Sequence, residues 1–281
     1  MNLQSKALLV QLSVSQWTAR KMDKRVTQDI IAQHHADAKS GNFHKSLLAG
    51  TDLLSNIHDK TTDIRKYVYN NTLPWAVNGT ALLKSSAYLG FMTDFRKMKN
   101  DWEYLVDRFC TEYPTLKQAA KSRLNTMYRE ADYPDDHRIR AKFNIDLGIY
   151  PVPNDDFRVS IGDAELAQLQ ADVEARVQSA SQTAMQEAWK RLYERVEHIS
   201  NKLSDPKAIF RDSMIENAKE ICNILPRLNF TDDPNLETMR QEVEKKLAGH
   251  HPDALRNNPT LRESTADEAK KIMGAMAAFM G

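Results

Sequence analysis

Apolar residues along this sequence recur mostly at every third or fourth position, a spacing that predicts amphipathic helices. The longest run steps by three or four residues from Leu166 to Leu203, so that its ten steps cover 37 positions. This period of about 3.7 residues is that of a straight or slightly right-wound helix. It predicts one helix over residues 163–204, which ends at Asp205-Pro206 and is about 60 Å long at 1.5 Å per residue.

The other helical regions are separated by residues that end or bend helices. A first helix is expected over about residues 15–40, and a second over about residues 47–73. A long helical stretch follows from about residue 86 to residue 129, with a break or kink expected at Pro114. Residues 207–281 are predicted to form a C-terminal helical part.

Three short segments alternate between apolar and polar residues with the period of a strand. They are residues 7–14, 143–150 and 157–161. Because an isolated two-stranded hairpin is only marginally stable, all three are predicted to form one small antiparallel sheet. The predicted fold class is mainly α, with long helices and a small β-sheet or hairpin inserted between the two longest helical stretches. Residues 1–281 are expected to form a single elongated domain.

Composition narrows the class of protein. The chain has 281 residues, only 9 glycines and 2 cysteines that are far apart, without a CxxC pair. Free thiols of this kind fit a reducing compartment. No run of about 18 apolar residues occurs, and no cleavage site follows residues 7–14, so neither a membrane span nor a signal peptide is expected. The predicted location is the cytoplasm.

The net charge of +1 conceals two halves of opposite sign. Residues 1–150 contain 22 Lys and Arg against 16 Asp and Glu, a balance of +6, whereas residues 151–281 contain 17 against 22, a balance of −5. Such halves could meet head-to-tail between subunits or attract a charged partner. The alternative is that they face each other within one monomer.

Catalytic signatures are missing from the sequence. It contains no glycine-rich phosphate loop, no HExxH and no GxSxG. Asp132, Asp135, Asp136 and His137 could hold a divalent cation, but the same residues are typical of a turn. His34, His35 and Asp37 are interpreted as a solvated polar face. No metal, no cofactor and no enzymatic activity are therefore expected.

A basic cluster is the main candidate for contact with nucleic acid. Arg20, Lys21, Lys24 and Arg25 would share one face of the helix expected over residues 15–40, where they could contact phosphates. A solvated helix face is the alternative interpretation.

Five residues are candidate anchors of a protein interface, because buried aromatic and arginine side chains most often supply interface energy. Packing in the protein's own core is an equally good interpretation for each of them. A membrane-inserting role for the hairpin is disfavoured, because it carries Asp146, Asp155, Asp156 and Arg158. The candidate anchors are Trp17, Trp75, Tyr150, Phe157 and Arg158.

A series of short motifs, in order along nearly the whole chain, carries a resemblance to a known family. They are Leu12-Ser13-Val14-Ser15-Gln16-Trp17-Thr18-Ala19-Arg20-Lys21, Leu73-Pro74-Trp75, Tyr133-Pro134, Pro151-Val152-Pro153, Asp156-Phe157-Arg158-Val159, Phe210-Arg211-Asp212-Ser213 and Leu225-Pro226-Arg227-Leu228-Asn229. Through them the chain resembles the domain of unknown function 3150 family of tailed phages and conjugative elements.

The resemblance implies no catalytic residues. It implies a mobile-element protein in the cytoplasm of a host cell, encoded near a MoxR-like AAA+ ATPase and a von Willebrand factor A-type protein. We therefore expect a non-enzymatic protein that acts through protein–protein interaction, either as a self-assembling component or as an adaptor of such an ATPase. The alternative is a nucleic-acid-binding accessory protein that uses the basic cluster near residues 20–25.

Overall fold

The computed structural model describes residues 3–75, 79–154 and 163–279. These residues are mainly helical, as predicted, and two long helices stand out among them. The helices are α1 (Leu3–Lys6), α2 (Lys24–Gln33), α3 (Leu53–Asn71), α4 (Tyr88–Leu124), α5 (Asp163–Ser204), α6 (Ser213–Leu228), α7 (Pro234–Val243), α8 (Pro252–Asn257) and α9 (Pro259–Ala277). Shorter helical turns lie at Ser85–Ala87, Asn125–Met127, Glu130–Asp132, Ile139–Lys142 and Glu244–Ala248.

Two small antiparallel sheets accompany the helices. The larger has the strand order β4-β5-β1-β6, and in it Ala7 lies opposite Lys84. The smaller joins β2 to β3. The strands are β1 (Ala7–Ser15), β2 (Arg20–Met22), β3 (His44–Ser46), β4 (Leu73–Pro74), β5 (Thr80–Lys84) and β6 (Asn144–Pro151).

The chain divides into two compact units. The first unit comprises Met1–Leu12, Tyr67–Met92 and Leu147–Gly281, and the second comprises Ser13–Lys66 and Thr93–Asp146.

The first unit is built around the C-terminal half of α5. From Ala184 onward this helix buries an apolar residue at every third or fourth position, and α6 and α9 pack against it. Arg191 of α5 also donates hydrogen bonds to Tyr69 O and Thr72 O, at 2.9 and 3.1 Å. The guanidinium thereby satisfies carbonyl groups at the end of α3 that have no partner within that helix.

The second unit has an aromatic core. Trp102, Phe109 and Tyr113 of α4 are buried together with Phe143. The rings of Phe109 and Phe143 meet edge to face with their centroids 5.6 Å apart. Trp102 Nε1 donates a buried hydrogen bond of 2.9 Å to Thr61 Oγ1 of α3, which fixes the orientation of the indole.

Several expectations from the sequence are confirmed and others are wrong. Helix α5 has the predicted bounds 163–204, and β1 and β6 lie within one residue of the predicted strands. The third predicted strand, 157–161, falls outside the described residues. The helix expected over residues 15–40 is wrong, because β1 extends to Ser15, β2 follows, and α2 begins only at Lys24.

Helix α4 runs without interruption through Pro114, so a break at this position is wrong and a kink stays a prediction. Tyr113, directly before the proline, is fully buried and donates a 2.9 Å hydrogen bond to Pro134 O. Packing at this point outweighs the backbone hydrogen bond that a proline removes.

The buried hydrogen bond of Trp102 gives a test of this core. Thr61→Val preserves the shape of the side chain but removes the oxygen that accepts the indole N–H. Because a buried donor without an acceptor is costly, we expect the free energy of unfolding to fall by about 1–3 kcal/mol. Urea unfolding followed by tryptophan fluorescence measures this. Thr61→Ser retains the acceptor and should lose about 1 kcal/mol or less; an equal or larger loss in this control would contradict the assignment.

Candidate interaction surface

Residues 20–46 of the second unit comprise β2, α2 and β3, and we name them the basic arm. Its base is the pairing of β2 with β3, in which Lys21 lies opposite Lys45. The pairing continues at both ends, because Leu47 N donates to Ala19 O at 2.7 Å and Asp23 N donates to Phe43 O at 2.9 Å. Helix α2 lies between the two strands along the chain.

The base of the basic arm contains a buried ion cluster around Lys45. The side chain of Lys45 is 2% exposed, and its Nζ lies 3.3 Å from Asp23 Oδ2 and 2.8 Å from Asp132 Oδ2. The ammonium group also donates a 2.6 Å hydrogen bond to Met127 O. A buried ammonium is tolerated only when partners of this kind replace its hydration. Lys45 therefore links the base of the arm to Met127 and Asp132, which follow α4.

Asp23 has a second role as the N-cap of α2. Its Oδ1 accepts hydrogen bonds from Arg25 N and Val26 N. The hydrogen bond from the Val26 amide lowers the pKa of Asp23 below its ordinary value of 3.8, and the Lys45 ammonium lowers it further by a smaller amount. The ionised carboxylate of Asp23 therefore stabilises the folded protein above pH 3.8. This stabilisation is lost as the pH falls through the lower pKa that Asp23 has in the folded state.

Helix α2 is amphipathic, yet none of its residues is buried. Ile30 is 41% exposed, and Val26 and Ile31 are half-buried. A groove of about 360 Å³ beside the helix is lined by Ile30, Ile31 and Phe43, among others. An amphipathic helix normally buries its apolar face against a core, so this face of the arm is open for a partner.

The four predicted phosphate-binding residues all lie on the basic arm. Arg20, Lys21, Lys24 and Arg25 are exposed, and none of them forms an ion pair with another described residue. The sequence led us to expect all four on one helix face, and this expectation is wrong. Arg20 and Lys21 belong to β2, whereas Lys24 and Arg25 form the first turn of α2 after the Asp23 cap.

The first unit carries a surface of the opposite charge, whose described side chains are exposed or half-buried. We name residues 163–183 of α5 the acidic half-helix, because none of its described side chains is buried, in contrast to those from Ala184 onward. A stripe of half-buried apolar side chains runs along it, at Leu166, Leu169, Val173 and Val177. Its exposed acidic residues form no ion pair with any described residue. They are Asp163, Glu165, Asp172 and Glu174.

Trp17, a predicted interface anchor, lies in the aromatic core of the second unit. Its ring meets that of Tyr113 edge to face at 5.6 Å and that of Phe109 at 6.3 Å. His58 Nε2 donates a 3.0 Å hydrogen bond to the Trp17 carbonyl oxygen. These contacts give Trp17 a packing role.

The other predicted anchors lie elsewhere. Trp75 is half-buried, packs against the core of the first unit and donates its backbone N–H to Thr80 O at 3.0 Å. Tyr150 is 50% exposed. Phe157 and Arg158 fall outside the described residues, and the interface role of all five anchors stays a prediction.

The carboxylates considered as metal ligands face cations of the protein instead. Asp132 contacts Lys45, Asp136 lies 3.7 Å from Lys117 Nζ, and Asp135 lies 3.7 Å from Arg138 Nε. Among the described residues, no group of three or more His, Cys, Asp and Glu side chains is arranged to hold a metal ion.

Comparisons with known proteins identify no relative. No family model matches the chain, and neither the curated proteins nor the solved structures contain a significant match. Within the part of the chain that the structure describes, no helix combines the length and the apolar character needed to cross a membrane.

Sequence reasoning missed the ion cluster and the open face of α2. Nothing around Lys45 marks it as buried, because its acidic partners are 22 and 87 residues away in the sequence. The open face did leave a signal. Val26, Ile30 and Ile31 have helical spacing, and Asp23 directly before Lys24 is a capping residue.

Removal of the buried charge tests the ion cluster. Lys45→Met keeps the length of the side chain but leaves the buried carboxylates without their cation, so we expect the free energy of unfolding to fall by about 3–5 kcal/mol. Urea unfolding followed by circular dichroism measures this loss. Lys21→Met removes the exposed lysine on the opposite strand and should change stability by at most about 0.5 kcal/mol. Similar losses in both variants would contradict the special role of Lys45.

Proposed function

We propose that this protein acts through protein–protein interaction, as a self-assembling component or as an adaptor of a MoxR-like AAA+ ATPase in a phage or other mobile element. The observation that carries the proposal is the open apolar face of α2, an amphipathic helix without a buried residue. The resemblance to the domain of unknown function 3150 family supplies the biological setting, with a von Willebrand factor A-type protein as a further partner. In that setting the protein acts in the host cytoplasm.

The charges around this face support a contact that depends on electrostatics. Arg20, Lys21, Lys24 and Arg25 have no ion-pair partner among the described residues, so a partner's carboxylates can pair with them without breaking an existing contact. Exposed charge pairs are screened within about 8–10 Å at 0.1–0.15 M salt. A contact of this kind weakens as salt is added.

The mass of the protein in solution tests self-assembly. Light scattering across a salt series should give a multiple of 32.1 kDa at low salt and approach 32.1 kDa at high salt, because salt screens the contact. A mass of 32.1 kDa at every salt and protein concentration would exclude self-assembly. The adaptor role would then be tested by binding to a purified MoxR-like ATPase of the kind that the resemblance implies, and absence of binding would contradict the proposal.

The four unpaired cations also favour a second candidate, a nucleic-acid-binding accessory function. Each phosphate contact to duplex DNA contributes about −0.9 to the slope of log affinity against log salt. Neutralising all four residues should therefore flatten the slope by about 3.6. Fluorescence anisotropy of a labelled duplex measures this slope. The substitutions are Arg20→Gln, Lys21→Gln, Lys24→Gln and Arg25→Gln.

A matched control variant distinguishes binding through the basic arm from non-specific attraction to the protein's other cations. It neutralises four exposed cations elsewhere in the second unit and should leave the slope unchanged. If both variants flatten the slope equally, binding is non-specific and the arm is not the contact. The control substitutions are Arg65→Gln, Lys66→Gln, Arg96→Gln and Lys97→Gln.

A further inference from the structure

We propose that the acidic half-helix of one copy docks on the basic arm of a second copy, so that the protein assembles head-to-tail. This inference rests on the proposed self-assembly and names the two surfaces that carry it. No described side chain of α2 or of the acidic half-helix is buried, and the two surfaces are opposite in charge.

The charges of the two surfaces are complementary. The arm presents four exposed cations at one end of α2, and the acidic half-helix presents four exposed carboxylates. None of these eight side chains forms an ion pair with another residue that the structure describes. The only exposed cation of the half-helix is Arg176, and the exposed acidic residues of the arm are Asp29 and Asp37. Facing surfaces of opposite sign guide association and set the register of a contact.

The apolar features match as well. Val177 packs against the core of the first unit, so the stripe that remains for a partner is Leu166, Leu169 and Val173. It covers about 11 Å of helix, and α2 with its 10 residues is about 15 Å long. The two helices can pack side by side over about two turns, with Leu166, Leu169 and Val173 against Ile30 and Ile31. Such packing would remove both apolar surfaces from water.

A second copy complements both the charges and the apolar face of the arm, whereas nucleic acid complements only the charges. Phosphates would neutralise the cations, but they would leave Ile30 and the groove beside α2 in water. The acidic half-helix offers carboxylates and an apolar stripe on one element. Two acidic half-helices would repel each other, as would two basic arms, so the contact joins different surfaces of the two copies. A contact between unlike surfaces propagates into a ring or a filament.

Charge reversal tests the docking directly. The arm variant changes the net charge from +1 to −7, because four cations become glutamates, and the half-helix variant changes it to +9. Each variant alone should associate about tenfold or more weakly than wild type at low salt, because like charges then face each other. The arm variant is Arg20→Glu, Lys21→Glu, Lys24→Glu and Arg25→Glu. The half-helix variant is Asp163→Lys, Glu165→Lys, Asp172→Lys and Glu174→Lys.

The combined variant, with both sets of substitutions in one chain, is the decisive sample. Its net charge returns to +1, and its two surfaces are again opposite in sign. It should recover the wild-type association constant to within about threefold, because the same attraction acts with exchanged signs. Recovery also shows that both sets of substitutions leave the protein folded. Sedimentation velocity on nuclease-treated samples measures all four proteins.

A matched control excludes an effect of net charge. It reverses Arg65, Lys66, Arg96 and Lys97 to glutamate, which also gives −7, and should assemble like wild type. If wild type forms oligomers that both single-surface variants retain, the docking is overturned while self-assembly stands. If the combined variant stays monomeric while wild type assembles, the pairing of these two surfaces is equally overturned. A wild-type monomer at all concentrations overturns both the docking and the self-assembly on which it rests.

Discussion

The buried ammonium of Lys45 is the interaction on which the proposed surface of this protein depends. Without compensation, a buried lysine would lose its hydration and destabilise the fold. Here the carboxylates of Asp23 and Asp132 and the carbonyl of Met127 replace that hydration. Because Asp23 also caps α2, the same cluster sets where the helix begins and how the arm is attached. The arm thus obtains its order from an ion cluster at its base and not from burial of its own helix.

This arrangement leaves α2 free to present both an apolar face and a group of cations. A helix of 10 residues is too short to be stable alone in water, so its cap and its strand pair must supply what core packing normally supplies. The acidic half-helix is the counterpart in the first unit, since the second half of α5 is anchored by α6 and α9 while no described side chain of the first half is buried. In both places an amphipathic helix keeps apolar side chains exposed or half-buried, and a partner that covered them would remove this surface from water.

The sequence predicted those parts of the fold that follow from local periodicity. Helix α5 was predicted with its observed bounds, because its apolar spacing is regular and Asp205-Pro206 ends it. Strand β5 was missed, since Leu82 and Leu83 are adjacent and do not alternate with polar residues. The arm was predicted as one helix because its two strands have only three residues each and are held by pairing across 21 intervening residues. The four basic residues lie on β2 and on the first turn of α2, a division set by the Asp23 cap and the strand pairing, and the pairing is not local.

Hydrogen exchange of the full-length protein at low and high protein concentration tests the central claim most directly. If the acidic half-helix of one copy covers the basic arm of another, backbone amides in residues 24–33 and 163–183 should gain protection together as concentration rises. The helices of the first unit's core should exchange at the same rate in both samples. Exchange in these two segments that is independent of concentration, in a sample whose mass shows assembly, would contradict the account.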